Sequence, residues 1–130
     1  MLQQLDHIAI AVADPQKSAD WYQEVLGLER RHQAVWGDHP IMMAAGDTML
    51  ALFPATTGAA TPQPQAGIGL RHFAFRAGWK NFNHAKAELA RRGIAFEEQD
   101  HQISRSVYFH DPDGFQIEIT TYDLAASGGG

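Results

Sequence analysis

The sequence contains no cysteine. This absence excludes disulfide scaffolds, thiolate zinc sites and cysteine nucleophiles, and it leaves His, Asp and Glu as the strong metal ligands of the chain. The sequence also lacks any run of roughly 18 to 20 apolar residues, the length that a membrane span requires. The first residues do not combine a basic segment with an apolar run, as a secretory signal would. We therefore expect a cytoplasmic protein with no membrane partner.

Basic residues are scarce in this chain. Ten Lys and Arg stand against fifteen Asp and Glu, which gives a formal net charge of −5. This sign is wrong for a nucleic-acid-binding protein, because such proteins neutralise phosphates with Lys and Arg. We therefore expect small molecules and other proteins as partners, and no nucleic acid. With 130 residues, 45% of them hydrophobic, the chain is long enough to form one domain with its own core.

Two segments of the chain are similar in pattern. Residues 6–12 and 71–77 are alternating runs typical of strands, and each is followed by residues with helical spacing. The first helical pattern begins with a good N-cap, Asp14, and ends at Gly27, while the second ends at Gly93. The chain is therefore predicted to repeat one structural unit.

Three short β-like stretches follow each predicted helix. They cover residues 28–36, 41–45 and 49–53 in the first copy and residues 95–99, 106–110 and 115–121 in the second, with a turn at 111–114. The predicted fold is thus α+β, with two tandem β-α-β-β-β modules in a single domain over residues 1–124. We assign the modules to residues 3–53 and 70–124, a linker to residues 54–69 and a flexible tail to residues 125–130.

Polar or small side chains occupy one face of three predicted strands. His7 shares a face with Ala9 and Ala11, His72 with Ala74 and Arg76, and Glu118 with Gln116 and Thr120. If these faces line one concave sheet, two imidazoles and one carboxylate converge. Such a set binds a divalent cation and leaves coordination positions open, as in non-haem Fe(II) sites, and it also suits Mn, Ni, Co or Zn. The alternative is that the histidines are ordinary surface or core residues.

A family resemblance lies in the segments DHIAIAVADPQKSADWYQEVLGLE, LRHFAFRA and SVYFHDPDGFQIEITTYDL. They resemble the vicinal oxygen chelate superfamily, which includes glyoxalase I, extradiol dioxygenases, fosfomycin-resistance proteins and bleomycin-resistance proteins. The resemblance covers residues 3–124 and implies paired modules that form a U-shaped mixed sheet around a metal cup. It maps the metal ligands onto His7, His72 and Glu118, and it implies that the metal chelates two neighbouring oxygens of the substrate.

This sequence differs from the residue patterns of two branches of the superfamily, and the differences reduce the number of activities that we expect. Glyoxalase I-like members place a second carboxylate near position 53, where this chain has Phe53. Fosfomycin-modifying members usually place a hydroxyl two residues after the first histidine, where this chain has Ala9, and they carry basic residues around the C-terminal strand. Residues 120–123 contain no basic residue. These differences disfavour both branches.

Extradiol dioxygenase-like members need a nearby His or Tyr to handle protons. Tyr108 and His110 share one face of their predicted strand, and we predict them as the catalytic candidates. The alternative is that Tyr108 is a spacer and that His110 caps the following turn. Arg76 is predicted to bind an anionic group of the substrate, with a strand-end salt bridge as the alternative. We assign the remaining histidines to loops and surfaces: His32, His39, His84 and His101.

The sequence therefore predicts a metal-dependent dioxygenase, lyase or isomerase that acts on a small substrate with adjacent oxygens. Fe(II) is the favoured metal, and Mn, Ni, Co and Zn are possible. The alternative is a bleomycin-resistance-like protein that binds or sequesters a small molecule without turnover. We expect a homodimer, because both modules present sheet edges and family members commonly pair. His7 then joins His72 and Glu118 either within one chain or across the dimer interface.

Overall fold

The computed structural model describes residues 1–56 and 67–124. The chain divides into two compact units, Met1–Ala60 and Thr61–Gly130. Most of the predicted linker, residues 57–66, and the predicted tail at 125–130 lie outside the described residues. Pro54, the first residue of the predicted linker, is the last residue of a strand.

The first unit contains a four-stranded sheet and two helices. Its elements are β1 (His7–Val12), α1 (Pro15–Leu26), β2 (Glu29–Arg31), α2 (Gln33–Trp36), β3 (Ile41–Ala45) and β4 (Thr48–Pro54). The strand order is β1-β4-β3-β2, in which β1 is parallel to β4 and the other neighbours are antiparallel. Helix α1 packs on β3 and β4. The core between them buries Val12, Tyr22, Met43 and Leu52.

Helix α1 has the boundaries that its sequence predicts. The side chain of Asp14 accepts a hydrogen bond from the backbone N–H of Lys17, and Pro15 occupies the first helical position. The helix ends at Gly27, whose φ of 72° lies in the left-handed region that glycine adopts without a steric penalty. The capping residues therefore fix both ends of α1.

The predicted strand over residues 28–36 is wrong beyond its first half. Strand β2 ends at Arg31, because His32 adopts a φ of 61° and turns the chain out of the sheet. The backbone N–H of Trp36 then donates to the carbonyl of His32 at 2.9 Å, so residues 33–36 form the single turn α2. The Arg30 side chain holds this turn by donating to the carbonyl of Gly37.

The second unit repeats the arrangement without the extra turn. Its elements are β5 (Phe73–Arg76), α3 (Trp79–Arg91), β6 (Glu97–Asp100), β7 (Arg105–His110) and β8 (Gln116–Thr121). The strand order is β5-β8-β7-β6, with β5 parallel to β8 and the other neighbours antiparallel. Helix α3 contacts β8. This unit fully buries Phe82, Leu89, Val107, Phe109 and Ile117.

The turn predicted at residues 111–114 is confirmed. Asp111 is 5% exposed, and its side-chain oxygen accepts hydrogen bonds from the backbone N–H groups of Asp113 and Phe115, both at 2.9 Å. Gly114 adopts a φ of 91°, which a residue with a side chain rarely tolerates. This turn joins β7 to β8 and so fixes the register in which their side chains face one another.

These observations confirm the α+β fold with two β-α-β-β-β modules, the first of which carries the additional turn α2. Each sheet has one apolar face that packs on the helix of its own unit. In the part of the chain that the structure describes, no helix is long and apolar enough to cross a membrane.

Candidate functional site

The polar face of β1 carries the first predicted metal ligand. Along β1 the exposed residues His7, Ala9 and Ala11 alternate with Ile8, Ile10 and Val12, of which the last two are buried. Nδ1 of His7 lies 2.8 Å from Oδ2 of Asp6. If Nδ1 carries the proton of the neutral ring, it donates to this carboxylate, and Nε2 keeps the lone pair that a metal ion requires.

The second sheet places the other two predicted ligands side by side. In the register of β5, β8 and β7, Ala74 and Tyr108 flank Glu118 on either side. His72 immediately precedes β5. Its Nε2 atom lies 2.9 Å from Oε1 of Glu118. The small side chain of Ala74 leaves room on this face, so the imidazole and the carboxylate meet directly.

Glu118 is held from its other side by a hydroxyl. Ser106 donates to Oε2 of Glu118 at 2.5 Å, and Ser106 also lies 3.0 Å from the hydroxyl of Thr120. The side chain of Glu118 is 12% exposed. A carboxylate that is withdrawn from water to this extent needs partners for its charge, and here His72 and Ser106 occupy its two oxygens separately.

Tyr108 lies beside this pair between two imidazole rings. Its ring meets that of His72 edge to face, with ring centroids 5.6 Å apart and planes at 87°. On its other side, Nε2 of His101 lies 3.0 Å from the Tyr108 hydroxyl, and these two rings also stand nearly perpendicular. The predicted candidate Tyr108 is therefore in contact with a predicted ligand, and its hydroxyl has a fixed partner.

The surroundings of Tyr108 keep its hydroxyl protonated near neutral pH. Burial raises the pKa of this phenol, and the negative charge of Glu118 raises it further. A phenol in this state can donate a hydrogen bond, or release a proton only to a strong base. Tyr108 is thus suited to hold a proton beside the His72–Glu118 pair.

His101 is the site residue that the sequence interpretation assigned to a loop. It follows β6 and is fixed by a tight turn in which its N–H donates to the carbonyl of Ser104 at 2.8 Å. Gln102 adopts a φ of 74° in this turn. Residues 97, 99 and 101 share the strand face on which Tyr108 lies. The alternation of side chains along β6 could therefore have indicated that His101 faces the same side of the sheet as Tyr108. The β6–β7 register that makes this alternation useful is known only from the structure.

The other two predicted site residues lie further along the same face. His110 ends β7, is exposed and lies opposite Gln116. Arg76 ends β5, pairs with Thr120 in the register and places its guanidinium carbon 4.5 Å from the centroid of the Tyr122 ring. Ala74, Glu118 and Tyr108 form one row across the three strands. His110 and Arg76 each lie two residues along their strands from this row, in opposite directions. The structure therefore brings His72, Glu118 and Tyr108 into contact and places His110 and Arg76 on either side of them.

The three predicted metal ligands belong to two different units of the chain. Within neither unit do the described residues gather three His, Asp or Glu side chains that could hold a metal ion. The first unit contains the contact of His7 with Asp6, and the second contains the contact of His72 with Glu118. The three-residue ligand set remains a prediction.

Comparisons with known proteins bear on this constellation. The model of the Glyoxalase/Bleomycin resistance protein/Dioxygenase superfamily matches residues 4–119. The chain is 30% identical over 126 residues to Glutathione transferase FosA of Serratia marcescens, covering 97% of this chain and 86% of that protein. It is 26% identical over 117 residues to Catechol-2,3-dioxygenase of Bacillus subtilis (strain 168), covering 88% of this chain but only 40% of that protein.

A solved structure supports the same relationship. The crystal structure of a glyoxalase/dioxygenase from Nostoc punctiforme superposes with a TM-score of 0.75 at 27% sequence identity. The alignment covers 92% of this chain and 90% of that one. The match therefore extends over both modules.

Proposed function

Because this chain belongs to the Glyoxalase/Bleomycin resistance protein/Dioxygenase superfamily, we propose that it is a metal-dependent enzyme acting on a small substrate with two adjacent oxygens. The reaction is an extradiol-type oxygenation or a lyase or isomerase reaction. The observation that carries the proposal is the 2.9 Å contact between His72 and Glu118 beside a protonated Tyr108. These groups supply metal ligands and a proton on one face of one sheet.

The separation of His72 and Glu118 fits a shared metal ion. Ligand atoms bound at about 2.0 to 2.2 Å and at right angles to each other lie about 3 Å apart. The distance of 2.9 Å between Nε2 of His72 and Oε1 of Glu118 is close to this separation. Ser106 holds the other carboxylate oxygen, so Oε1 keeps its orientation. The chemistry of these two side chains therefore fits a shared divalent cation.

His7 is the proposed third ligand, and Asp6 is its orienting partner. Metal-bound histidines commonly donate their second ring N–H to a carboxylate, which fixes the ring and raises its basicity. The 2.8 Å contact between Asp6 and Nδ1 of His7 provides this arrangement. Fe(II) remains the favoured metal, because two histidines and one carboxylate leave open positions for a substrate and oxygen.

The chain's own residues divide the work around that ion. His72 and Glu118, with His7, would hold a divalent cation, which would supply stabilisation of negative charge on the chelating oxygens of the substrate. In the proposed reaction Tyr108, whose hydroxyl holds a proton, would donate it to a substrate oxygen beside Glu118. His101 orients this hydroxyl through the 3.0 Å hydrogen bond. Ser106 orients the carboxylate directly, and its hydroxyl is also in contact with that of Thr120.

Turnover assays with metal removal test the proposal. The protein is loaded with Fe(II) without oxygen, and oxygen consumption is then followed with catechol and 4-methylcatechol. The same preparation is assayed after treatment with EDTA and after addition of each of Fe(II), Mn(II), Ni(II), Co(II) and Zn(II). Activity that is lost with EDTA and restored by one metal supports the enzyme. Stoichiometric ligand binding that EDTA does not change, without turnover of any substrate, supports the binding-protein alternative instead.

A glutathione-dependent transfer is the second candidate function. The observation in its favour is the 30% identity to a glutathione transferase over 97% of this chain. Ala9 and the absence of basic residues at 120–123 argue against that branch, so sequence identity and local pattern disagree. Metal-dependent loss of glutathione thiol in the presence of a small epoxide would favour the transferase over the oxygenase.

We further propose that residues 1–124 act as one domain and that the chain forms a homodimer. Light scattering measures the dimer directly. Co-expression of His7→Ala and His72→Ala chains then assigns the origin of His7. If the site forms between chains, the mixed dimer keeps one intact site of two and binds metal. If the site forms within a chain, both sites of the mixed dimer lack a ligand and metal binding is lost.

A further inference from the structure

A shallow depression of about 460 Å³ opens on the second unit where α3 begins. It is lined by Arg76, Ala77, Gly78, Tyr122 and Asp123. Arg76 is the last residue of β5, and the other four residues follow the ends of β5 and β8. His72 immediately precedes β5, and Glu118 lies on β8. The volume lies within the range of about 300 to 1,000 Å³ that is typical of small-molecule sites.

Arg76 provides a positive charge in this depression. Its guanidinium carbon lies 4.5 Å from the centroid of the Tyr122 ring, within the range of a cation–π interaction. Across residues 1–56 and 67–124, none of the ion pairs includes Arg76, so the predicted alternative of a strand-end salt bridge is not observed. The Tyr122 ring therefore positions the guanidinium of Arg76. The N–H groups of this guanidinium can still donate hydrogen bonds to the oxygens of a ligand.

Asp123 provides a negative charge in the same depression. Its Oδ2 atom accepts a hydrogen bond from the backbone N–H of Trp79 at 3.3 Å, and its own N–H donates to the hydroxyl of Thr121. These two contacts fix the carboxylate beside the first turn of α3. Arg76 and Asp123 do not form an ion pair with each other in the described part of the chain.

The two charges select one class of ligand. A purely anionic group that binds Arg76 meets the carboxylate of Asp123, and a purely cationic group meets the guanidinium. A zwitterion satisfies both, because its carboxylate binds Arg76 while its ammonium faces Asp123. The α-amino acid head is the common small-molecule group with this pair of charges.

Arg76, which lines the depression, shares a strand face with Ala74, whose partner on the neighbouring strand is Glu118. Ala74 pairs with Glu118 and Arg76 with Thr120, so the two rows lie roughly 7 Å apart along the strands. The guanidinium is directed towards Tyr122, further from Glu118. A ligand that reaches both places is therefore on the order of 10 Å long.

We propose that this depression binds the zwitterionic head of an α-amino acid or short peptide. Arg76 binds the carboxylate and Asp123 binds the ammonium group. For the enzyme, this makes Arg76 and Asp123 specificity residues for substrates that carry such a head on the order of 10 Å from their chelating oxygens. The proposal that the depression binds a zwitterionic head depends only on the depression. The proposal that this head selects the substrate rests on the proposed function.

Binding of the head is tested on the metal-free protein. Amide chemical shifts are followed by NMR during titration with three compounds. L-phenylalanine carries both charges, 3-phenylpropanoate carries only the negative charge, and phenethylamine carries only the positive charge. We expect saturable shifts at residues 76–78 and 122–123, and affinity for L-phenylalanine about fivefold above that for either control compound. Shifts scattered elsewhere, or equal affinities for the three compounds, would overturn the proposal.

Variants separate the two charges. Arg76→Gln is expected to remove the advantage of L-phenylalanine over phenethylamine, and Asp123→Asn its advantage over 3-phenylpropanoate. The amide introduced by Asp123→Asn keeps an oxygen for the N–H of Trp79, so α3 keeps its cap. Lys80→Gln, which removes a cation from the first turn of α3 outside the depression, is the matched control and should leave all three affinities unchanged. A Lys80→Gln effect equal to that of Arg76→Gln would contradict a specific site.

Substrate selection is tested separately with catechol ligands. The Zn(II)-loaded protein is titrated with 3,4-dihydroxyphenylalanine and with 4-methylcatechol, which lacks the zwitterionic head. We expect tighter binding of 3,4-dihydroxyphenylalanine by about fivefold, and loss of this preference in Arg76→Gln. Binding of L-phenylalanine without binding of either catechol would leave the head site standing and refute the proposed function. Equal binding of both catechols would refute the role in selection alone.

Discussion

Nε2 of His72 lies 2.9 Å from Oε1 of Glu118, although 46 residues separate them along the chain. The parallel pairing of β5 with β8 creates this contact, because it sets Ala74 against Glu118 and leaves the preceding His72 free to reach the carboxylate. The turn at Asp111 and the hydroxyl of Ser106 keep β8 and its carboxylate in place. The local fold therefore builds two thirds of the proposed metal site within one unit.

Asp6→Asn is predicted to weaken metal binding without unfolding the protein. The amide no longer carries the negative charge that holds and polarises His7, and loss of such a partner typically lowers metal affinity by about 10- to 100-fold. Competition with a chromophoric chelator measures the dissociation constant. Asp20→Asn, on the exposed face of α1, is the control and should bind metal as the wild type does. Equal affinities of the two variants would show that Asp6 does not orient a ligand.

Tyr108→Phe is predicted to lower kcat by about a hundredfold while the metal content stays at the wild-type level. The ring and its contact with His72 remain, and only the proton-carrying hydroxyl is lost. Steady-state kinetics and metal analysis on the same preparation separate the two effects. A variant with full activity would exclude Tyr108 from proton transfer.

His101→Ala is predicted to lower kcat by about tenfold, less than loss of the hydroxyl itself, because His101 acts only by orienting Tyr108. His101→Gln, which can restore a hydrogen bond to the phenol, should recover part of the activity. His84→Ala on the exposed side of α3 serves as the control. If the Gln and Ala variants at position 101 are equally impaired, the hydrogen bond is not what matters.

Glu88 is predicted to stabilise the fold above acidic pH only. Hydrogen bonds from Arg91, then from Arg92, lower its pKa from 4.5 to about 2. Because the pKa is lower in the folded state, the stabilisation is fully present above pH 4.5 and is lost as the pH falls towards 2. Urea midpoints of the wild type and Glu88→Gln should therefore differ at pH 7 and converge near pH 2. A difference that does not change with pH would rule out this carboxylate as the cause.

The sequence predicts most of the secondary structure, for local physical reasons. The ends of α1 are set by Asp14 and Gly27, whose capping roles depend on their own side chains. The turn at residues 111–114 is equally local. The end of β2 is different, because a positive φ at His32 is a conformation that the sequence does not dictate. The predicted strand over residues 28–36 therefore fails at His32.

The alternation of side chains along the strands predicts which residues of the candidate site share a face of the sheet, but not all of their contacts. The shared faces of His72, Tyr108 and Glu118 follow from the period of two. The contact of His101 with Tyr108 depends on the register of the β6–β7 hairpin and on the turn that follows β6, and neither is visible in the sequence. The pairing of Arg76 with an aromatic ring, where a salt bridge was the alternative, also depends on where the chain turns after β8.

The central claim is that His72 and Glu118 bind a divalent metal ion. Its most direct test is the metal content, by mass spectrometry, of wild type, Glu118→Gln and Glu98→Gln after equilibration with Fe(II) without oxygen. Glu98 lies in the same sheet, where it pairs with Lys86, so Glu98→Gln controls for loss of a carboxylate. We predict about one metal ion per chain in wild type and Glu98→Gln, and less than about a tenth of that in Glu118→Gln. Full occupancy in Glu118→Gln would contradict the claim.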